Sequence, residues 1–200
     1  MSVLEIVAVV VTLAAVYLTT RQIIWCWPLS LLSVTLYGLV FFEAKLYADM
    51  GLQGVYFVLS LYGWWAWLRG GPDHGTLAVS AASAKTRFAA LAIGAAFGLG
   101  LGTLLERFTD ASLPYMDSTL TSFSLVAQFM ATRKLIDNWI VWIAVDVFYV
   151  GMFVYKELYL TAGLYAAFLI LAASGFASWR RSMAGPHTGD NPGAAPAEPA

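Results

Sequence analysis

The 200-residue chain is 60% hydrophobic and only 12% charged, with a mean hydropathy of +0.72. Soluble domains carry about twice that share of charged residues, so this chain has too little polar surface to cover itself in water. It reads as an all-α membrane protein whose apolar surface is covered by the lipid bilayer. The formal net charge of −1 carries no argument for a partner, and nucleic acid is not an expected one. The single cysteine, Cys26, lies in an apolar run and reads as a buried small hydrophobe. The apolar N-terminus lacks a basic leader and is followed by further spans, so it reads as a mature helix.

A helix needs about 20 mostly apolar residues to cross the hydrocarbon core. Seven stretches qualify in chain order: Val3–Leu18, Ile23–Phe42, Met50–Leu68, Phe88–Leu105, Leu113–Ala131, Ile136–Tyr155 and Leu158–Trp179. Connections are short except Arg69–Arg87, which holds Gly-Gly-Pro and a Ser/Ala-rich stretch. The tail is rich in Pro, Gly and Ala, and residues 182–200 are expected to be disordered.

Basic residues divide unevenly between the two ends of the spans. One side holds Arg21, Arg69, Lys85, Arg87, Arg133, Lys134, Arg180 and Arg181; the other holds Lys45, Arg107 and Lys156. The positive-inside rule then puts the N-terminus outside and the C-terminus in the cytoplasm, for a multi-pass protein of the inner membrane.

The sequence also matches itself at an offset of 112 residues: Thr20-Arg21 falls on Thr132-Arg133, Trp27 on Trp139, Tyr37 on Tyr149, Leu46-Tyr47 on Leu158-Tyr159, Gly63 on Gly175 and Trp67 on Trp179. Glu5 meets Asp117 conservatively. Residues 1–69 therefore form one three-helix repeat and 112–181 a second, with a linker and the fourth helix in 70–111. A single span between two triplets restores the orientation of the second, which gives a 3+1+3 parallel repeat with a pseudo-two-fold axis along the membrane normal. SWEET-type transporters have this arrangement, with a solute site between the repeats. A scaffold that merely retains an old duplication is the competing reading.

Charges sit at helix ends with one exception. Asp146 lies near the middle of the sixth span, where a carboxylate costs about 2.5–3.5 kcal/mol on insertion scales. No Lys or Arg shares its depth. It is therefore protonated, hydrogen-bonded, or a contact for a cationic ligand. Trp139, Trp142, Asp146 and Tyr149 are spaced by three, four and three, and Asn138 falls on nearly the same helical stripe. Two indoles, a phenol and a carboxylate on one face suit a flat cationic ring. Gln128, at a depth near Trp142, and Gln53 are further candidates.

The eight tryptophans all lie toward the cytoplasmic half of the spans, and an interfacial belt accounts for most of them. Buried Ser and Thr residues, including Ser30 and Ser124, are read as bonding the preceding turn or neighbouring helices. Gly94, Gly98 and Gly102 form a small-residue ridge for close helix packing. No phosphate loop, metal cluster or nucleophilic triad is present in the sequence, so neither an enzyme nor a cofactor or metal site is expected.

Along its whole length except the tail, the chain resembles the PnuC family of nicotinamide riboside transporters. The resemblance rests on WPLSLLSVTLYGLVFFEAKLYADMGLQGVYFVLSLYGWWAW, SLVAQFMATRKLIDNWIVWIAVDV and KELYLTAGLY. The family pattern N-W-x-x-W-x-x-x-N/D falls on Asn138, Trp139, Trp142 and Asp146. The resemblance implies facilitated diffusion of nicotinamide riboside, made one-way by a cytoplasmic kinase, with Trp139, Trp142 and Asp146 contacting the solute. Asn138, Gln128 and Gln53 lie nearby in this reading, and a homo-oligomer is compatible with it. The last motif position is Asp here, where riboside transporters often have Asn. Relatives of this fold are associated with thiamine or riboflavin, and of these two only thiamine is a cation.

Overall fold

The computed structural model describes residues 3–109 and 113–184. These form seven α-helices: α1 Val3–Thr20, α2 Cys26–Glu43, α3 Tyr47–Arg69, α4 Ala84–Phe108, α5 Pro114–Thr132, α6 Asp137–Tyr155 and α7 Tyr159–Ala184, with one 3-10 turn at Pro72–His74. Every expected span is present. The Ser83 hydroxyl caps α4 by accepting from the Thr86 N–H at 3.1 Å, and so starts that helix four residues before Phe88. α7 runs on to Ala184; the helix therefore takes the first residues assigned to the tail, and 185–200 lie outside the described residues.

Five helices, α1, α2, α4, α6 and α7, are long and apolar enough to cross a membrane by length and composition. α3 and α5 fall below that apolarity because they carry Asp49 and Gln53, and Asp117, Thr121, Ser124 and Gln128. Their polar residues turn inward, onto a cavity described below.

Neighbouring helices pack as α1–α2, α2–α3, α5–α6 and α6–α7; the two triplets join through α1–α7 and α3–α5, and α4 packs on α5. Exchanging α1 with α5, α2 with α6 and α3 with α7 maps every one of these pairs onto another, except the one involving α4. The 112-residue offset recurs in the backbone. α1 ends with Gln22 at φ 57° and α5 with Lys134 at φ 54°; α2 ends with Lys45 at φ 60° and α6 with Glu157 at φ 59°. Each left-handed residue is followed by a six-to-one bond: Ile23 N–H to Leu18 O, Leu135 to Met130, Leu46 to Phe41 and Leu158 to Phe153. These are Schellman-type stops built without glycine, and they satisfy carbonyls that a helix end would leave bare.

The triplets meet at the end of the bundle where α1, α3, α5 and α7 finish. Trp27 and Trp67 pack edge to face at 5.3 Å and 90°, Trp139 and Trp179 at 5.4 Å and 89°, and Trp67 meets Trp179 at 5.8 Å and 62°. The indole N–H of Trp67 donates to Ala131 O at 3.0 Å, and that of Trp179 donates to Thr19 O at 3.0 Å. Each bond runs from the third helix of one triplet to the last turn of the first helix of the other, and the two bonds are related by the same offset. The interfacial-belt reading is thus corrected for half of the tryptophans. Trp27, Trp67, Trp139 and Trp179 are at most 3% exposed, whereas Trp25, Trp64 and Trp65 are 64, 36 and 56% exposed, as a belt requires. Four aromatic rings turned toward one another bury more apolar area than four turned to an interface.

Gly63 and Gly175 make room for the quartet. A Cβ at Gly63 would overlap the Trp27 ring, and one at Gly175 would overlap the Trp139 ring. On α4, Gly94, Gly98 and Gly102 are buried and lie against Phe123, Thr119, and Tyr115 with Ser118 on α5; Ser122 Oγ donates to Gly94 O at 2.7 Å. That ridge does close packing, as its spacing indicated.

The segment expected to be a loop before α4 is tied down. Leu77 N–H donates to Trp67 O at 3.1 Å, Ser80 pairs with the 134–136 turn through Ser80 N–H to Lys134 O and Ile136 N–H to Ser80 O, and Ala82 N–H donates to Asp137 Oδ2 at 2.7 Å. Arg87 pairs with Asp137 Oδ1 at 2.6 Å. Lys134 Nζ donates to Leu77 O at 2.9 Å and lies 4.6 Å from the Trp67 ring centre, and burial holds its ammonium below the ordinary lysine range.

Gly63→Ala and Gly175→Ala should each cost about 1–3 kcal/mol through overpacking, read as a lower melting temperature in detergent. Gly51→Ala and Gly163→Ala, which meet nothing within 4 Å, should leave it near the parent value.

Candidate functional site

A cavity of about 440 Å³ lies between the two triplets, inside the size range of small-molecule sites. Its lining begins at the exposed Asp49 and Asp117, near the starts of α3 and α5, and ends on the buried Asn138, Trp139 and Trp27 beside the quartet. It therefore reaches the surface at the end where α1 begins and is closed at the end where the tryptophans pack.

The helical face deduced for α6 turns into this space. Asn138, Trp139, Trp142, Asp146 and Tyr149 all line it, as do Gln53 of α3 and Gln128 of α5. The seven residues singled out in the sequence are thus brought together, although they do not present equal surface. Asp146 is 3% exposed. Among the described residues it accepts no hydrogen bond and forms no ion pair, and the described lining contains no Lys or Arg. Trp142 is half-buried one turn before it, and Tyr149 follows about one turn after it. Tyr149 lies 4.5 Å from the Tyr165 ring and 5.8 Å from Phe153, and Tyr165 in turn meets Phe168 edge to face at 5.9 Å. The carboxylate therefore sits between an indole and a wall of stacked phenyl and phenol rings.

Trp139 is only 2% exposed, with its ring against Gly175 and Trp179, so it presents little surface to the cavity and no open stacking face. Asn138 is 0% exposed; its Nδ2 donates one N–H to Leu135 O at 2.6 Å, and its Oδ1 has no hydrogen-bond partner among the described residues. Oδ1 of Asn138 and the indole nitrogens of Trp139 and Trp27 are the buried side-chain polar atoms without a hydrogen-bond partner among the described residues. Each such atom costs about 1–3 kcal/mol, and all three belong to residues of this one cavity.

Several lining residues escaped the sequence reading. Tyr165 and Trp27 stand at the 112-residue offset from the candidates Gln53 and Trp139, so the repeat itself carried the signal that would have found them; Tyr56 and Phe168, at the same offset from each other, had no such signal. Asp49 and Asp117 were passed over as helix-end charges; they add two carboxylates at the mouth. Ser30 and Ser124, set aside as helix glue, also line the cavity, and Ser124 does bond the preceding turn, donating to Leu120 O at 2.8 Å.

Curated relatives and a solved structure resemble the chain. It is 27% identical over 207 aligned residues to the nicotinamide riboside transporter PnuC of Escherichia coli (strain K12), covering 90% of this chain and 85% of that one. It is 29% identical over 148 residues to the riboflavin/roseoflavin transporter RibM of Streptomyces davaonensis, covering 71% and 68%. The crystal structure of the vitamin B3 transporter PnuC superposes with a TM-score of 0.71 at 22% identity, over 90% of this chain and 82% of that one, which identifies the fold. The family model of the nicotinamide mononucleotide transporters matches residues 2–181, and the chain belongs to this family of membrane-spanning transporters.

Proposed function

We propose that the cavity carries a flat, cationic, vitamin-sized solute across the inner membrane, with nicotinamide riboside the first candidate. The observation that carries this reading is Asp146: a buried carboxylate with no ionic or hydrogen-bond partner among the described residues, between Trp142 and Tyr149 along α6, in a cavity whose described lining has acids and no Lys or Arg. A bare carboxylate in a low-dielectric site is costly, and a pyridinium beside it removes that cost while stacking on the indole. Asp49 and Asp117 at the mouth raise the local concentration of cations. Gln53 and Gln128 offer amides to the ribose hydroxyls. The likeness to the E. coli riboside transporter supports this choice of solute.

Transport in this reading is facilitated diffusion. The two triplets are the moving units, and release at the tryptophan end requires the two reciprocal indole bonds to part. A cytoplasmic kinase then makes uptake one-way by adding a charge that the acidic cavity rejects. The inner face is the quartet end, with the N-terminus outside and the C-terminus in the cytoplasm. A cytoplasm-active reporter fused after Ala184 should be active, and a periplasm-active one fused there should be silent.

The RibM relative favours a second reading, riboflavin. That solute is neutral and leaves the Asp146 carboxylate uncompensated, whereas thiamine, with its thiazolium, does not. Thermal-shift titration of the purified protein against the three vitamins decides among them. Asp146→Asn should weaken nicotinamide riboside about tenfold or more, equivalent to about 1.4 kcal/mol, and leave riboflavin unchanged or improved. Trp142→Ala should weaken the cation by a similar factor. Stabilisation by riboflavin alone would replace this reading with the second, and no stabilisation by any of the three would leave a scaffold role.

A further inference from the structure

Trp67 and Ala131, joined by one of the two bonds between the triplets, are each followed two residues later by an arginine: Arg69 on α3 and Arg133 at the end of α5. Both arginines are exposed, and neither forms an ion pair among the described residues. Arg133 reaches across the seam. Its Nη1 donates to the Tyr62 hydroxyl of α3 at 2.9 Å, and the Tyr62 ring stacks on Trp65 at 6.0 Å and 30°. Tyr62, Trp65 and Arg69 are spaced by three and four, so they share one stripe of α3. Away from the arginines the stripe continues through Leu61 and Val58, which are 46 and 64% exposed. Phe129, one turn before Arg133 on α5, is 50% exposed. The outer surface of this seam thus carries two arginines, then an aromatic pair, then an apolar track.

We propose that this surface of α3 and α5 binds one anionic phospholipid. The headgroup phosphate accepts from the guanidiniums of Arg133 and Arg69, and an acyl chain runs along Leu61, Val58 and Phe129. The Tyr62–Trp65 pair lies between them, at the headgroup level where such rings are favoured. The apolar track selects a lipid over a soluble phosphate, which gains nothing from it. Guanidinium–phosphate hydrogen bonds are charge-assisted and strong, and Tyr62 holds Arg133 in place for them. Arg69 belongs to the first triplet and Arg133 to the second, so a phosphate they share ties the seam outside the Trp67–Ala131 bond. The other seam is an internal control. Arg181 and Arg21 stand at the 112-residue offset from Arg69 and Arg133 and are exposed as well. Ser174 and Ala177 replace Tyr62 and Trp65 there, and Arg21 Nε donates to the hydroxyl of Tyr17, on its own helix, at 3.4 Å. The arginines recur without the aromatic pair or the reach across the seam. This site is independent of which solute the cavity carries.

The test uses the delipidated full chain in a neutral detergent, with dioctanoyl phosphatidylglycerol, dioctanoyl phosphatidylcholine and glycerol 3-phosphate as probes. Phosphatidylglycerol should raise the melting temperature of the parent. Phosphatidylcholine, whose headgroup is neutral overall, and the soluble phosphate should not do so at the same concentration. Arg133→Gln and Arg69→Gln should each weaken phosphatidylglycerol about tenfold, the scale of one charged hydrogen bond. Tyr62→Phe keeps the ring stack and frees Arg133, and should weaken it about threefold. Arg21→Gln removes the same charge from the other seam and should stay within about twofold. Native mass spectrometry, which counts the lipids that remain bound, gives a second readout for any variant whose own melting changes. Equal losses in Arg21→Gln and Arg133→Gln would overturn the site in favour of diffuse surface charge. An equal shift with glycerol 3-phosphate would replace the lipid with a soluble anion, and no shift with phosphatidylglycerol in the parent would remove the site.

Discussion

Two indole N–H groups cross between the triplets, from Trp67 to the carbonyl of Ala131 and from Trp179 to that of Thr19. Each acceptor lies in the last turn of a helix, where carbonyls lose their intrahelical partners. The bonds therefore bring two buried donors and two needy acceptors together at one end of the bundle. The edge-to-face row of four indoles forms around them, and Gly63 and Gly175 permit the approach. Held together there, the triplets leave the space between them open toward Asp49 and Asp117. The cavity, its closed end and its opening beside Asp49 and Asp117 all follow from where the two halves are pinned.

The backbone of the two triplets is alike, down to the left-handed stops at Gln22 and Lys134 and at Lys45 and Glu157. The side chains that face the cavity are not. At the same offset, Ser30 stands against Trp142, Val34 against Asp146, Val16 against Gln128 and Cys26 against Asn138. The second triplet thus lines the cavity with Trp142, Asp146, Gln128 and Asn138, while the first lines it with Gln53, Tyr56, Asp49 and Trp27. The two triplets are alike in their helix stops, and the wall from the second is the more polar and charged.

Much of this was legible in the sequence. Long apolar runs fixed the seven helices, because lipid leaves a spanning backbone almost no alternative to the helix. The stripe from Asn138 to Tyr149 was visible because helical periodicity needs no tertiary information. What escaped depended on contacts between distant segments. A tryptophan near a helix end reads the same whether it faces lipid or another tryptophan, so Trp27, Trp67, Trp139 and Trp179 could not be told from Trp25, Trp64 and Trp65 by position. Asp49 and Asp117 looked like ordinary helix-end charges because depth along a helix says nothing about which way the helix turns them. The segment around Ser80 carries no strand pattern; it is ordered by Lys134, Ile136 and Asp137, more than 50 residues further along.

The central claim is that the two triplets enclose one passive path for a cationic solute. It is tested most directly by placing the purified protein in liposomes with no ATP, ion gradient or kinase and following labelled nicotinamide riboside. The account predicts entry that stops when the inside and outside concentrations are equal, and that slows strongly in Asp146→Asn. Accumulation above the outside concentration, or entry no faster than in empty liposomes, would contradict it.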